Sequence, residues 1–134
     1  MTKELESRLK TCRNNGGKTL DISYLEISDL DLVTEFPELE TLNCRHTQVS
    51  DLAPLAALTQ LQTLYCSSTK VSDLAPLAAL TQLQTLYCSS TQVSDLAPLS
   101  ALTELEALYC AFTNVKEFSP IQHLIDRGLV VYKS

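Results

Sequence analysis

The sequence predicts an α/β solenoid, a stack of short strand-and-return units behind an N-terminal helix, and three observations lead there. Three 22-residue blocks in this 134-residue chain are nearly identical: Leu39–Gln60, Leu61–Gln82 and Leu83–Glu104. The first pair differs at 5 positions and the second pair at 3. Within each block the apolar spacing changes from two to about three, as expected for a strand followed by a turn and a return. On both sides the repeat fades into weaker copies and then into unrelated segments. A unit this short cannot bury its own apolar face and must stack on neighbours.

At the start of the chain, Leu5, Leu9 and Cys12 have a helical spacing, Thr2 stands where an N-cap belongs, and Asn14-Asn15-Gly16-Gly17 is a stop signal. Residues 1–16 are therefore expected to form a helical cap on a single domain that spans 1–134. Five repeats are expected over 17–126. Leu20, Ile22, Leu25, Ile27, Leu30, Val33 and Phe36 fall in register with the central blocks, and Leu105, Leu108, Cys110, Val115, Phe118, Ile121 and Leu124 continue them. In each unit Leu64 and Cys66, or their counterparts, point inward while Thr63, Tyr65 and Ser67 point outward. Val71, Leu74, Leu77 and Leu80 bring the chain back. Pro76 must lie in a turn or the first turn of a short helix, with Ser72 or Asp73 as its cap. After Gly128, Leu129-Val130-Val131-Tyr132 reads as a β-rich cap strand within 127–134.

The strand pattern Leu61-x-x-Leu64-x-Cys66-x-x-Thr69-x-Val71 resembles that of leucine-rich repeat proteins, with cysteine at the usual third leucine and threonine at the usual asparagine. The return Val71-Ser72-Asp73-Leu74-Ala75-Pro76-Leu77-Ala78-Ala79-Leu80-Thr81 is similar to the 22-residue class of bacterial internalins. The resemblance implies a curved solenoid with a parallel sheet on its concave face and 3₁₀ turns on its convex face. It implies protein binding in general and no particular partner. Glu6–Ser23 also looks like the start of repeat modules attached to bacterial Roco-type GTPases. Internalins carry a secretion signal, whereas MTKELESRLK lacks a signal-peptide apolar run, so a cytoplasmic protein is expected.

Composition narrows the function. A formal charge of −6 and a pI near 4.8 argue against nucleic acid as partner. No stretch approaches the run of about 18 apolar residues that a membrane span needs. The acidic run between Lys18 and Arg45 is read as a solubilising first layer in preference to a docking end for a basic partner. Cys44, Cys66, Cys88 and Cys110 share one inward position in successive repeats and are expected to be core thiols, not metal ligands or redox groups. Such buried thiols, five with Cys12, suit a reducing compartment. Asp29, Asp51, Asp73 and Asp95, with Glu117 in the next copy, are expected to cap turns and not to hold calcium. Thr47, Thr69, Thr91 and Thr113 are expected to bond the turn backbone between strands. No acid/base pair, phosphate loop or nucleophile-plus-base set is visible, so no enzyme, cofactor, metal or small-molecule substrate is expected.

The outward strand positions supply the candidate binding surface. One column reads Asp21, Asn43, Tyr65, Tyr87, Tyr109, the next Ser23, Arg45, Ser67, Ser89, Ala111, and the next Tyr24, His46, Ser68, Ser90, Phe112. Tyrosine offers large contact area at low rotamer cost. Tyr65, Tyr87 and Tyr109 are therefore expected to anchor a protein partner, with Asn43, Arg45, His46 and Phe112 giving the two ends their character. Duplication alone would also repeat Tyr65 and Tyr87. Tyr109 sits in a diverged unit, which favours contact. A regulatory or targeting subunit of a larger signalling assembly, for example with a GTPase, is the alternative reading. A thiol-active or metal-binding protein is a further one.

Overall fold

The strand positions named above become a ladder of three-residue rungs in the computed structural model, which describes residues 2–134. Strands β1 (Thr19–Asp21), β2 (Thr41–Asn43), β3 (Thr63–Tyr65), β4 (Thr85–Tyr87), β5 (Ala107–Tyr109) and β6 (Val130–Tyr132) form one parallel sheet in sequence order. The inward residue of β1 to β5 is always a leucine and is fully buried, from Leu20 to Leu108. The cysteine or isoleucine two residues later is buried as well. Its N–H carries the ladder past the strand. Cys44, Cys66, Cys88 and Cys110 donate to Tyr65, Tyr87, Tyr109 and Tyr132 carbonyls at 2.8–2.9 Å. The result is the α/β solenoid expected from the repeat, with the sheet concave and 3₁₀ turns convex.

Those turns take proline near their start. Pro54, Pro76, Pro98 and Pro120 are each the second residue of a three-residue 3₁₀ turn, where a missing N–H costs nothing. The aspartate before each of the first four turns does what the sequence implies, whereas Glu117, expected to cap the fifth, makes no such bond. Asp51, Asp73 and Asp95 accept the N–H of Ala53, Ala75 and Ala97 at 2.8–2.9 Å, and Asp29 accepts that of Asp31 at 3.1 Å. Asp73, and not Ser72, is thus the capping group. The first turn, Asp31–Glu35, lacks proline and runs two residues longer. The threonine column bonds the turn backbone, as expected. Thr47, Thr69, Thr91 and Thr113 donate their hydroxyls to Cys44, Cys66, Cys88 and Cys110 carbonyls at 2.6–2.8 Å. Each bond stays inside its own repeat and closes the bend after the strand, because the carbonyl three residues back is the nearest acceptor the turn presents.

That bend is left-handed. Tyr24, His46, Ser68, Ser90 and Phe112 have φ between 56 and 64°. The N–H groups of the first four still reach the neighbouring repeat. His46, Ser68 and Ser90, for example, donate to Ser67, Ser89 and Ala111 carbonyls at 2.8–3.1 Å. A non-glycine residue pays roughly 1–2 kcal/mol in this region. The ladder bonds on either side hold it there.

The two ends of the sheet differ. At the first, α1 (Lys3–Asn14) starts on the predicted Thr2 cap, whose hydroxyl oxygen accepts the Leu5 N–H at 3.1 Å. It buries Leu9 and Cys12 against the core. Its side chains also satisfy the edge of β1. Asn15 Oδ1 accepts the Lys18 and Thr19 N–H at 3.0 and 3.2 Å, and Asn15 Nδ2 donates to the Thr19 carbonyl at 2.9 Å. Arg8 donates to the Asp21 carbonyl at 2.7 Å. At the other end, α2 (Gln122–Asp126) follows the last 3₁₀ turn and Gly128 turns the chain at φ 117°. The segment expected as a cap strand is β6, a further rung in parallel register: Ala107 pairs with Val130 and Tyr109 with Tyr132. Val115 and Phe118, aligned with buried residues of earlier units, are only half-buried here because little packs beyond them.

Candidate functional site

The exposed face of the sheet carries a column of stacked tyrosines. The strand alternation turns Tyr65, Tyr87 and Tyr109 outward, and the parallel register places them side by side. Ring centroids are 4.4 Å apart between Tyr65 and Tyr87 and 4.2 Å between Tyr87 and Tyr109, with planes within 12° of parallel. These spacings are shorter than the roughly 4.7–4.9 Å between neighbouring strands, as side chains on the inside of a curve must be. Tyr132 adds a fourth ring, 4.3 Å from Tyr109. Sequence reasoning missed it because stepping by 22 residues lands on Val131 instead. The signal was there in the alternation, since Leu129 and Val131 facing inward leave Val130 and Tyr132 facing outward.

Tyr87 and Tyr109 spend both faces on neighbouring rings, so the middle of the strip presents ring edges and hydroxyls to a partner. The three inner rings are half-buried and Tyr132 is exposed. Burial first, and then the adjacent Tyr109 and Tyr65 phenols, push the Tyr87 hydroxyl up to about 12. The Tyr87 hydroxyl is thus neutral and can both donate and accept. The middle of the strip is also free of charge. No residue in 62–68 or 84–90 is charged, and the side chains flanking the rings are Thr63, Ser67, Thr85, Ser89 and Ala111.

The other expected contact residues lie at the two ends and do not join the strip. Asn43 is half-buried in line with it, its Oδ1 accepting the Arg45 N–H at 3.2 Å. Arg45 and His46 are exposed and engage Tyr24: His46 stacks on that ring at 4.4 Å and the Arg45 guanidinium sits 5.7 Å from its centroid. Phe112 stands alone at the far end with 84 % of its surface exposed. Ser23, aligned with outward residues, is buried instead, donating its hydroxyl to Asp21 Oδ1 at 2.6 Å. Burial works to raise the Asp21 pKa, but the Ser23 hydroxyl and N–H, with Arg8 and Arg45, hold it below the ordinary carboxylate range.

The acidic first layer is largely committed internally. Glu35 takes a two-pronged hydrogen bond from Arg13, Asp21 faces Arg8 at 3.3 Å, and Glu38 and Glu40 lie 4.0 and 3.8 Å from Lys18. The thiols are equally unavailable. All five cysteines are free and buried. Burial raises the pKa of each, to about 12 at Cys44 and Cys88. Among the described residues no group of three or more His, Cys, Asp or Glu converges on a metal position, and no helix is long and apolar enough to cross a membrane.

The family model "Leucine Rich repeats (2 copies)" matches three overlapping stretches, 37–79, 59–101 and 81–123. No curated protein matches the chain. Among solved structures, an internalin C2 from Listeria monocytogenes is 32% identical, superposes with a TM-score of 0.83 and covers 87% of this chain. An internalin F from the same organism is 27% identical over 81% of this chain, with a TM-score of 0.65. The functional domain of InlJ from Listeria monocytogenes, which includes a cysteine ladder, is 22% identical over 87% of this chain with a TM-score of 0.56 and shares the fold. The chain spans 51%, 39% and 29% of those three chains respectively, about half of the first.

Proposed function

Because the chain belongs to the leucine-rich repeat family, whose fold commonly mediates protein–protein contacts, we propose that it is a non-catalytic module that binds a protein partner on the concave face of its sheet. The observation that carries this reading is the tyrosine column. Four near-parallel rings line the face where small Thr, Ser and Ala side chains let a partner approach. Tyrosines with free edges and hydroxyls combine apolar area with hydrogen bonding, the mixture that recurs in binding hot spots. Tyr65, Tyr87 and Tyr109 serve as anchors. Asn43, Arg45 and His46 at one end and Phe112 at the other discriminate between partners.

The absence of charge along the middle repeats makes the contact one of shape and aromatic packing. Such binding depends little on ionic strength, in contrast to recognition through charge. The unpaired buried thiols fit a reducing compartment, in keeping with a cytoplasmic module. The test compares wild type with the triple variant Tyr65→Ser/Tyr87→Ser/Tyr109→Ser in a pull-down from source-cell lysate, with circular dichroism to establish that both are folded. A partner held by the wild type and lost by the folded variant supports the reading. A partner held equally by both moves the contact off the tyrosine column.

A further inference from the structure

One asparagine ties the cap helix to the sheet, and it is the one asparagine in the chain that glycine follows. Asn15 closes α1. Its Oδ1 accepts the Lys18 and Thr19 N–H groups at 3.0 and 3.2 Å, and its Nδ2 donates to the Thr19 carbonyl at 2.9 Å. Gly16 and Gly17 then stop the helix in left-handed backbone, at φ 84 and 71°. The Gly16 N–H donates to the Arg13 carbonyl at 3.2 Å and the Gly17 N–H to the Cys12 carbonyl at 2.9 Å, the two bonds of a Schellman stop. Asn15 and Gly16 are both exposed to water. An asparagine before glycine is chemically labile, because no side chain shields the glycine nitrogen from the neighbouring carboxamide.

We propose that Asn15–Gly16 is a one-way modification site, guarded while α1 is docked and hydrolysed to aspartate or isoaspartate once the cap opens. In the reaction the Gly16 nitrogen attacks Asn15 Cγ and closes a five-membered imide. The Cγ–Nδ2 bond breaks, and Nδ2 leaves as ammonia with the proton that Gly16 gives up. Water then opens the ring at either carbonyl, and no oxidant or reductant takes part. Both reacting groups are committed in the docked state, the carboxamide to the edge of β1 and the Gly16 N–H to the helix stop. They are freed together only when the end of α1 parts from β1. The product does not fit back. A carboxylate puts an oxygen where Nδ2 stands 2.9 Å from the Thr19 carbonyl oxygen, two acceptors face to face. It also sets negative charge at the C-terminus of α1, where the helix dipole opposes it. Isoaspartate adds a methylene to the main chain where the two Schellman bonds fix its path. A transient opening is thereby made permanent, baring Leu9, Cys12 and the edge of β1. The device does not depend on what the concave strip binds.

The test follows conversion at Asn15 in the full chain by peptide-mapping mass spectrometry, with a synthetic peptide of Arg13–Leu20 as the unguarded reference. At neutral pH the folded chain should convert roughly tenfold or more slowly than the peptide, as a group exposed only by local opening does. Leu9→Ala loosens α1 without touching residues 13–19 and should speed conversion in the folded chain roughly tenfold. Arg13→Gln serves the same end if Leu9→Ala does not fold, since it removes only the pair with Glu35. Val93→Ala, in the core of a central repeat away from the cap, should leave the rate unchanged. Asn15→Asp, the product itself, should speed amide hydrogen exchange in α1 and leave that of β3 and β4 as it was. Conversion as fast as in the peptide, no acceleration by the cap variants, or equal acceleration by Val93→Ala overturns the proposal. So does an Asn15→Asp chain whose α1 exchanges at the wild-type rate.

Discussion

Tyr109 and Tyr132 stack with their centroids 4.3 Å apart and their planes within 5° of parallel, although 23 residues separate them where every earlier ring pair is separated by 22. The short helix α2 and the Gly128 turn take up the extra residue and return the chain to register. Tyr132→Ser should therefore cost about 0.5–1.5 kcal/mol, the value of one aromatic pair, while Tyr132→Phe should cost little. Urea denaturation followed by circular dichroism measures both.

The left-handed column makes a prediction that side-chain contacts alone would not. Ser68 and Ser90 stand at φ 56 and 57°. Valine there adds β-branching to a region that already disfavours a Cβ, and Ser68→Val should lower stability by about 1–2 kcal/mol. Ser68→Gly should leave stability unchanged or raise it, since the relief of strain offsets the greater freedom of the unfolded chain. Thermal melts of the two variants should shift in opposite senses or leave glycine at the wild-type value.

Thr69 tests the bend from the other side. Its buried hydroxyl donates to the Cys66 carbonyl at 2.7 Å. Thr69→Val keeps the shape and removes the donor, so the buried carbonyl loses a partner at a cost of about 1–3 kcal/mol. Thr69→Ser should recover most of it, and the urea midpoint reports the difference.

Arg13 and Glu35 give the fold an acid dependence. The Arg13 hydrogen bond holds the Glu35 carboxyl below its ordinary pKa. A depressed carboxyl contributes stability that is present above its unfolded pKa and lost as the pH falls through the folded value. Replacing the guanidinium by Arg13→Gln should therefore reduce stability near neutrality and leave it nearly unchanged in strong acid. Denaturation curves taken between pH 7 and pH 3 should show the two proteins converging.

Thiol titration checks the core role of the cysteines. With Cys44, Cys66 and Cys88 buried and their pKa values raised, little thiolate exists at pH 8. Labelling by a chromogenic disulfide should be slow in native buffer and fast in urea. Rapid native labelling would place these thiols outside the core.

Much of this was legible in the sequence because the repeat compares each position with itself. Leucine at position 64 and its copies must face inward, Asp73 must precede a turn, and Thr2 must cap a helix. Conformation carried by residues without a backbone signature was not legible. No glycine marks the left-handed bend, so Ser68, His46 and Phe112 read as ordinary outward residues. The pairing of Glu35 with Arg13 and of Asp21 with Arg8 joins the cap helix to the first repeat, and sequence spacing does not show it. Tyr132 was hidden by a single inserted residue. In the candidate site, the three-ring column followed from strand alternation, while its closure by a fourth ring and the detour of His46 to Tyr24 required three dimensions.

The uniform register of β2, β3 and β4 has a consequence for how such a molecule changes over time. Each of these units hands the next the same backbone donors and acceptors that it receives, so a unit can be copied or lost between them without leaving a mismatched seam in the ladder. Length is then a free variable of the architecture, adjustable in steps of about one strand spacing, near 4.8 Å. The specialised ends stay fixed. Near-identical blocks are what such an inexpensive dimension leaves behind: the reach of the surface can be retuned while its local chemistry stays the same.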